Sequence, residues 1–193
     1  GYEILEAAVR KISNTEIEGF SVQQSLMGAE HNRYTLFFVI RFSKPFKNFN
    51  GWIGDKIIRN TTEIHLLFDD EKPGAFLNFE TAGGEVIMVQ SGISLVSIQQ
   101  ARLNLETELN PYDWNFENVK QNSREQWNTL LKSIEVEGGT ESDLKMLYTS
   151  MYRAFAGQTV WSDVNGKYVD MFERVQVLND PASPIYGCNP PGT

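Results

Sequence analysis

Ser91-Gly92-Ile93-Ser94-Leu95-Val96-Ser97-Ile98-Gln99-Gln100-Ala101-Arg102-Leu103-Asn104-Leu105-Glu106-Thr107-Glu108 holds the change of period that decides the architecture. Ahead of Ser97 the chain reads as short strands; beyond it apolar residues recur at spacings of three and four. Ser97-Ile98-Gln99-Gln100 has the form of a capping box, in which the Ser hydroxyl accepts from the third helical amide and Gln100 reaches back. Ile98, Ala101, Leu105 and Leu109 then share one helical stripe, and Asn110-Pro111 ends it. Strands in succession followed by helices, without alternation of the two, predict an α+β fold: an antiparallel β-sandwich part and then helices.

To the left of this stretch, residues from about Phe20 to Ser94 read as strands. In Arg33–Phe42 one face carries Tyr34, Leu36, Phe38, Ile40 and Phe42, and the other carries Thr35, Phe37, Val39 and Arg41. One face is wholly apolar and the other half apolar, which suits a strand covered on both sides. Ser43-Lys44-Pro45 ends it, since Pro cannot donate to a central ladder. Thr62–Phe68 and Ala75–Phe79 follow, separated by the polar run Asp69-Asp70-Glu71-Lys72-Pro73-Gly74 with its turn signal. Gly83-Gly84 predicts a hairpin into Glu85–Ile93. The residues of Glu3–Lys11 favour helix, but the segment leads directly into strand territory, and strand is the reading taken.

To the right, a second helix beginning near Asn115 places Phe116, Val119, Ser123, Trp127, Leu130, Leu131 and Ile134 on one face, with Trp127 read as core. After Gly138-Gly139, Thr140 caps a third helix. Its Leu144, Leu147, Tyr148, Met151, Tyr152 and Phe155 form one stripe, and Gly157 supplies its stop. Asp163-Val164-Asn165-Gly166 reads as a turn, Lys167–Leu178 as a strand, and a tail with Pro181, Pro184, Pro190 and Pro191 closes the sequence. A natural domain rarely finishes in such a run, so the end reads as cut.

The 193 residues carry 17 Lys+Arg against 25 Asp+Glu, a formal net charge of −8. No basic stripe is present to displace counterions from phosphates, so nucleic acid is not an expected partner. The longest apolar run, Leu36–Ile40, is far short of the roughly 20 residues of a membrane span. Cys188 is the sole cysteine, which excludes an intrachain disulfide, a thiolate zinc site and a CxxC redox pair.

Chemistry is sparse. His31 lies in a polar loop and His65 within an alternating strand, with no nucleophile elbow, zinc-protease helix, P-loop or dinucleotide fingerprint beside them. Glu106 with Glu108, and Glu135 with Glu137, read as solvated surface, as does Asp69-Asp70-Glu71. Asp163-Val164-Asn165-Gly166 has the beginning of a calcium loop without its later ligands, so a turn is preferred. Trp52 and Trp161 fall in loop-like sequence, where an aromatic ring often marks binding and where a pyranose CH face could stack.

The opening stretch resembles the "GISxVSxxxARxNLxxE" segment of glycoside hydrolase family 92, whose members are mostly exo-acting α-mannosidases. Arg41-Phe42-Ser43-Lys44-Pro45-Phe46 is similar to that family's "FSKPF". Trp127-Asn128-Thr129-Leu130-Leu131 with Ile134-Glu135-Val136 is similar to "WNxxLxxIxV", Leu147-Tyr148-Thr149-Ser150-Met151-Tyr152-Arg153 to "FYTxLYH/R", and Ser162-Asp163-Val164-Asn165-Gly166-Lys167-Tyr168 to "sDVxGxY". Five matches in the family's order over residues 41–168 are specific where any one would be weak.

The resemblance implies a β-sandwich, a helical linker and an (α/α)6 catalytic barrel. On that map 1–95 is the later part of the sandwich, 96–139 the linker and 140–193 the start of the barrel, including its first helix. It implies an inverting, calcium-dependent hydrolysis of terminal α-mannosides resembling that of α-1,2-mannosidases, with glycans as partners and a secreted or periplasmic location. None of the carboxylates present matches the family's catalytic motifs. No catalytic or metal residue is therefore assigned, calcium is expected in the full-length enzyme but not in this piece, and the chain by itself is expected to be inactive. Trp52, Trp161, Asp163, Asn165 and Tyr168 are the candidate substrate contacts. The alternative is a stand-alone carbohydrate-binding or interaction module using the sandwich face with Trp52. Leu144, Tyr148 and Met151, left without a barrel partner, are expected to drive self-association.

Overall fold

The computed structural model describes residues 2–25, 33–67, 71–157, 159–170, 172–180 and 186–187. His31, Phe68, Asp69, Asp70, Cys188 and Pro181, Pro184, Pro190 and Pro191 of the tail lie outside them. The fold is α+β, with antiparallel sheets followed by helices, as the change of period predicts.

Strands β1 (Tyr2–Lys11), β2 (Glu16–Ser25) and β3 (Arg33–Phe42) form a meander. β4 (Asn48–Ile53), β5 (Lys56–Ile58), β6 (Glu63–Leu67), β7 (Pro73–Asn78) and β8 (Val89–Ser94) complete the pair of sheets. The larger sheet has the order β6-β1-β2-β3-β8 and the smaller β5-β4-β7. Glu3–Lys11 is thus strand. The hairpin expected at Gly83-Gly84 does not form: β7 pairs with β4, while β8 crosses to the other sheet and pairs with β3. The turn signal was real, but each flanking strand finds its partner at long range.

The two sheets meet over Ile17, Phe46, Phe49 and Ile64, with Val9, Ile40, Phe42, Leu77 and Phe79 packed around them. Three aromatic pairs among Phe42, Phe46 and Phe79, at ring separations of 5.5–6.2 Å, fill the end of this layer, a tilted-to-edge geometry that suits the ring quadrupoles. The opposite face of β3 packs on helix α1 (Ile98–Leu109), where Val39, Ala101 and Leu105 are buried beside Phe37, Ile98 and Leu109. β3 is therefore covered on both sides, as its two apolar faces predict. Gly92 makes the helix's approach possible, because a Cβ there would lie 2.3 Å from the Ala101 carbonyl oxygen and 2.6 Å from Leu105 Cβ.

Charge joins the same layer. Glu18, 3% exposed, accepts from Arg10 on β1 and from Arg102 on α1. Glu16 accepts from Arg102 and, at 2.7 Å, from Arg41 Nε, and Arg41 in turn donates to Glu106 at 2.8 Å. Glu106 is therefore an ion-pair partner rather than merely solvated surface. Alternating signs in the order Arg10, Glu18, Arg102, Glu16, Arg41, Glu106 leave each interior charge with two opposite neighbours, the condition under which buried ions are tolerated.

At the start of α1 Ser97 accepts from the Gln100 amide at 3.2 Å. Gln100 does not complete the expected box: its side chain is buried, and Oε1 has no hydrogen-bond partner. A 3-10 turn, Asn110–Tyr112, leads to α2 (Phe116–Leu131) and then α3 (Glu141–Ala156). At the head of α3 Thr140 and Asp143 form a reciprocal capping box. The amphipathic face of α2 is present but largely uncovered by the described residues. No residue of α2 is buried, Phe116, Leu130 and Ile134 are exposed, and Trp127 is half-buried against Tyr152 at 4.6 Å between ring centroids. The reading of Trp127 as core is corrected accordingly: the stripe exists, but among the described residues α3 and the 3-10 turn cover only part of it. Met151, expected on an open face, is buried, whereas Leu144 and Tyr148 are half-buried.

Beyond Gly157 come β9 (Thr159–Val160), β10 (Lys167–Val169), β11 (Val175–Val177) and β12 (Tyr186–Gly187). The strand expected over Lys167–Leu178 is instead a hairpin, β10 against β11. Asp170 folds it back by accepting from the backbone amides of Phe172 and Arg174 and from the Arg174 and Gln176 side chains at 2.9–3.1 Å. Such a many-donor carboxylate looks like an ordinary surface residue in sequence.

Candidate functional site

The segments that carry chemistry converge at Asp163. Its backbone turns sharply: the Gly166 amide donates to the Asp163 carbonyl at 2.8 Å and the Asp163 amide to the Lys167 carbonyl at 2.7 Å. Gly166 has φ +79°, a conformation for which glycine is suited. The side chain is buried and anchored on the two elements of the opening stretch. Oδ2 accepts from Ser94 Oγ at the end of β8 at 2.9 Å, and Oδ1 accepts from Asn104 Nδ2 on α1 at 2.7 Å. Asn104 also binds the Ile93 carbonyl and accepts from the Val164 amide, at 2.8 and 3.0 Å. Ser94 Oγ accepts from the Val96 amide at 2.9 Å. Strand end, helix and turn are thereby joined through one carboxylate.

Burial pushes the Asp163 carboxyl above its ordinary value, only partly offset by Asn104, Ser94 and the charge of Lys167. Glu108, one turn beyond Asn104, is also raised, first by desolvation and then by repulsion from Asp163. In both cases the folded state holds its proton to higher pH than the unfolded chain. Stability therefore falls as pH rises from about 4.5, the ordinary value for Glu108, through the raised value. Glu108→Gln removes one of these losses. It is expected to raise the urea midpoint at pH 8 and leave it nearly unchanged at pH 4; equal shifts at both pH values would count against a raised Glu108 carboxyl.

Both Asp163 oxygens are engaged by donors, which leaves this carboxylate a positioning group rather than a free acid or base. Calcium at the turn would need roughly six to eight oxygen ligands around it. Asn165 Oδ1 is taken up locally by the Lys167 amide at 3.3 Å, and no cluster of three or more His, Cys, Asp or Glu able to hold a metal occurs among the described residues. The residues present do not fit a calcium site.

Of the residues singled out from sequence, Trp161, Asp163, Asn165 and Tyr168 fall together in this docked segment. Trp161 is half-buried and donates from Nε1 to the Val169 carbonyl at 3.1 Å, so its ring is pinned across the hairpin. Tyr168 is half-buried in β10, paired with Gln176. Trp52 is elsewhere. It lies on β4 of the smaller sheet rather than in a loop, a correction whose cause is register: β4 gains its partners β5 and β7 only in three dimensions. His65 Nε2 donates to Glu6 Oε1 at 2.8 Å on the neighbouring strand. Ser94, Asn104 and Glu108 were not singled out as site residues. Their signal was the opening stretch itself, where Ser94, Asn104 and Glu108 occupy fixed positions of the pattern.

A family model described as "Glycosyl hydrolase family 92 N-terminal domain" matches residues 2–94, and one described as "Glycosyl hydrolase family 92 catalytic domain" matches 100–186. An uncharacterized secreted glycosidase of Arthroderma benhamiae is 28% identical over 87 residues, covering 43% of this chain and 11% of the relative. Among solved structures, a family GH92 inverting mannosidase from Bacteroides thetaiotaomicron aligns with TM-score 0.79 and 22% identity over 97% of this chain. A GH92 α-mannosidase from the same organism aligns with TM-score 0.78 and 20% identity over 96%. A GH92 family glycosyl hydrolase aligns with TM-score 0.78 and 24% identity over 95%. The chain spans about a quarter of the length of these structures: 25%, 24% and 24%.

Proposed function

Because this chain belongs to glycosyl hydrolase family 92, we propose that it is the part of an exo-acting α-mannosidase that joins the sandwich to the catalytic domain. The supporting observation is the Asp163 junction, which ties β8, α1 and the segment after α3 into one unit. On this reading 1–95 belongs to the sandwich, 96–139 links, and 140–193 begins the catalytic helices. The whole enzyme releases terminal α-1,2-linked mannose from glycans outside the cytoplasm, a location supported by the secreted relative. The turn carrying Trp161, Asp163, Asn165 and Tyr168 helps to shape its pocket wall.

Inverting hydrolysis needs an acid and a base about 6.5–9.5 Å apart with room for water between them. Asp163 is held in the fold by hydrogen bonds from Ser94 and Asn104, Glu108 is repelled by its charge, and neither matches the family's catalytic motifs. The catalytic pair and the calcium of the whole enzyme are therefore assigned to segments outside this chain. The test is mannose release from α-1,2-mannobiose. The 193-residue chain is expected to show no turnover and no change in Tm on adding calcium, while a protein extended through the catalytic domain turns over and loses activity in chelator. Turnover by the chain alone, or a calcium-dependent rise in its Tm, would overturn the assignment.

A further inference from the structure

The outer face of the small sheet carries a row of neutral groups for which the junction has no use. Side chains alternate along β4, so Phe49 and Ile53 enter the core while Asn48, Asn50 and Trp52 face outward. Register places Asn78, Phe76 and Gly74 of β7 opposite Asn48, Asn50 and Trp52, and Ile57 of β5 beside Trp52 on the other edge. The indole lies across Gly74: a Cβ at that glycine would be 2.1 Å from the ring. Phe76 is near-parallel to it, with ring centroids 6.3 Å apart at 28°. Trp52 and Ile57 nevertheless reach solvent, 36% and 55% exposed.

The amides beside this platform are held in place. Buried Asn50 donates to Asn78 Oδ1 at 2.8 Å and accepts from the Asn60 backbone amide at 3.0 Å, which holds Asn60 at φ +51°. Asn48 Nδ2 donates to Asn60 Oδ1 at 2.8 Å. Asn48, Asn60 and Asn78 are exposed. Each has one pole of its amide tied to a neighbour, which leaves Asn48 Oδ1, Asn60 Nδ2 and Asn78 Nδ2 facing solvent as an oriented acceptor and two donors.

We propose that this face binds a neutral oligosaccharide, with a pyranose CH face on Trp52 and hydroxyl groups met by the amides of Asn48, Asn60 and Asn78. The chemistry selects the ligand: an uncharged array, an exposed π-face and fixed donors and acceptors match a polyhydroxyl ring better than an ion or an apolar helix. Four residues of strand, about 13 Å, separate Asn48 from Trp52, so a ligand touching both has more than one ring. The orientation of the amides is set before binding, which lowers the ordering cost. This surface is independent of the hydrolytic reading, since it lies on a different sheet from the Asp163 junction.

The test is two-dimensional NMR of the 193-residue chain titrated with α-1,2-mannobiose and, separately, cellobiose. The chain has four tryptophans, and Trp52→Leu, which keeps an apolar cover over Gly74, identifies the Trp52 indole signal. Saturable movement of that signal and of the Asn60 and Asn78 side-chain amides at millimolar sugar is expected. Asn48→Ala, which leaves Trp52 and its stacking in place, is expected to weaken binding about threefold, and Trp52→Leu about tenfold. If neither sugar moves the Trp52 signal, or if Trp161 moves instead, the proposal is overturned. The second result would seat glycan at the Asp163 junction and leave the hydrolase reading standing.

Discussion

Asp163→Ala is expected to cost about 3 kcal/mol, because it leaves the buried Ser94 hydroxyl and one of the two Asn104 Nδ2–H groups without an acceptor, each worth roughly 1–3 kcal/mol when orphaned. The loss has a location. Asn104 and Ser94 are held from below by the Ile93 carbonyl and the Val96 amide, so strand and helix should survive while the turn detaches. Hydrogen exchange should show lost protection over 163–178 and nearly unchanged protection in β1, β2 and β3. Asp163→Asn is the milder change, since the Ser94 hydroxyl can rotate to accept from the new amide, and about 1 kcal/mol is expected. If Asp163→Ala unfolds the sheet together with the turn, or leaves the turn protected, then the carboxylate is not what joins the turn to β8 and α1.

Arg102→Ala should be comparably damaging, at about 3 kcal/mol by urea unfolding at pH 7, because a severed buried pair leaves uncompensated charge. Glu18 would retain only Arg10, whose side chain is 55% exposed, and Glu16 only Arg41. The pH profile separates this loss from simple trimming. Burial opposes ionisation of Glu16, but hydrogen bonds and charge from Arg41 and Arg102 outweigh it and hold the carboxyl below 4.5. A carboxylate with a lowered pKa stabilises above its unfolded value, and the contribution disappears as pH falls from about 4.5 toward the lowered one. In Arg102→Ala that acid-side decline should be shallower. A variant that is weaker at pH 7 but retains the full decline would mean that Arg102 acts through its aliphatic stem.

Much of this was legible along the chain because it depends on near neighbours. Ser97 and Thr140 as caps and the Ile98-Ala101-Leu105-Leu109 stripe depend on residues close in sequence, and the structure has all three. The double cover of β3 was readable from the alternation within Arg33–Phe42. Where the reading failed, the partner was distant. Gly83-Gly84 looks like a hairpin loop, yet Val89–Ser94 pairs with β3, whose residues lie some fifty positions earlier. Trp127 sits on an apolar stripe, but periodicity tells which face is apolar and not what covers it.

The sequence by itself determined the succession of a strand region by helices, the Ser97 and Thr140 caps, the family and the two apolar faces of β3, since residue pattern and local hydrogen bonds encode these. Only the tertiary structure decided that Ser94, Asn104 and Asp163 form one junction and that Trp52 shares a face with Asn48, Asn60 and Asn78. Those groupings depend on sheet register and on long-range pairing, in which a shift of a single residue turns every side chain to the opposite face.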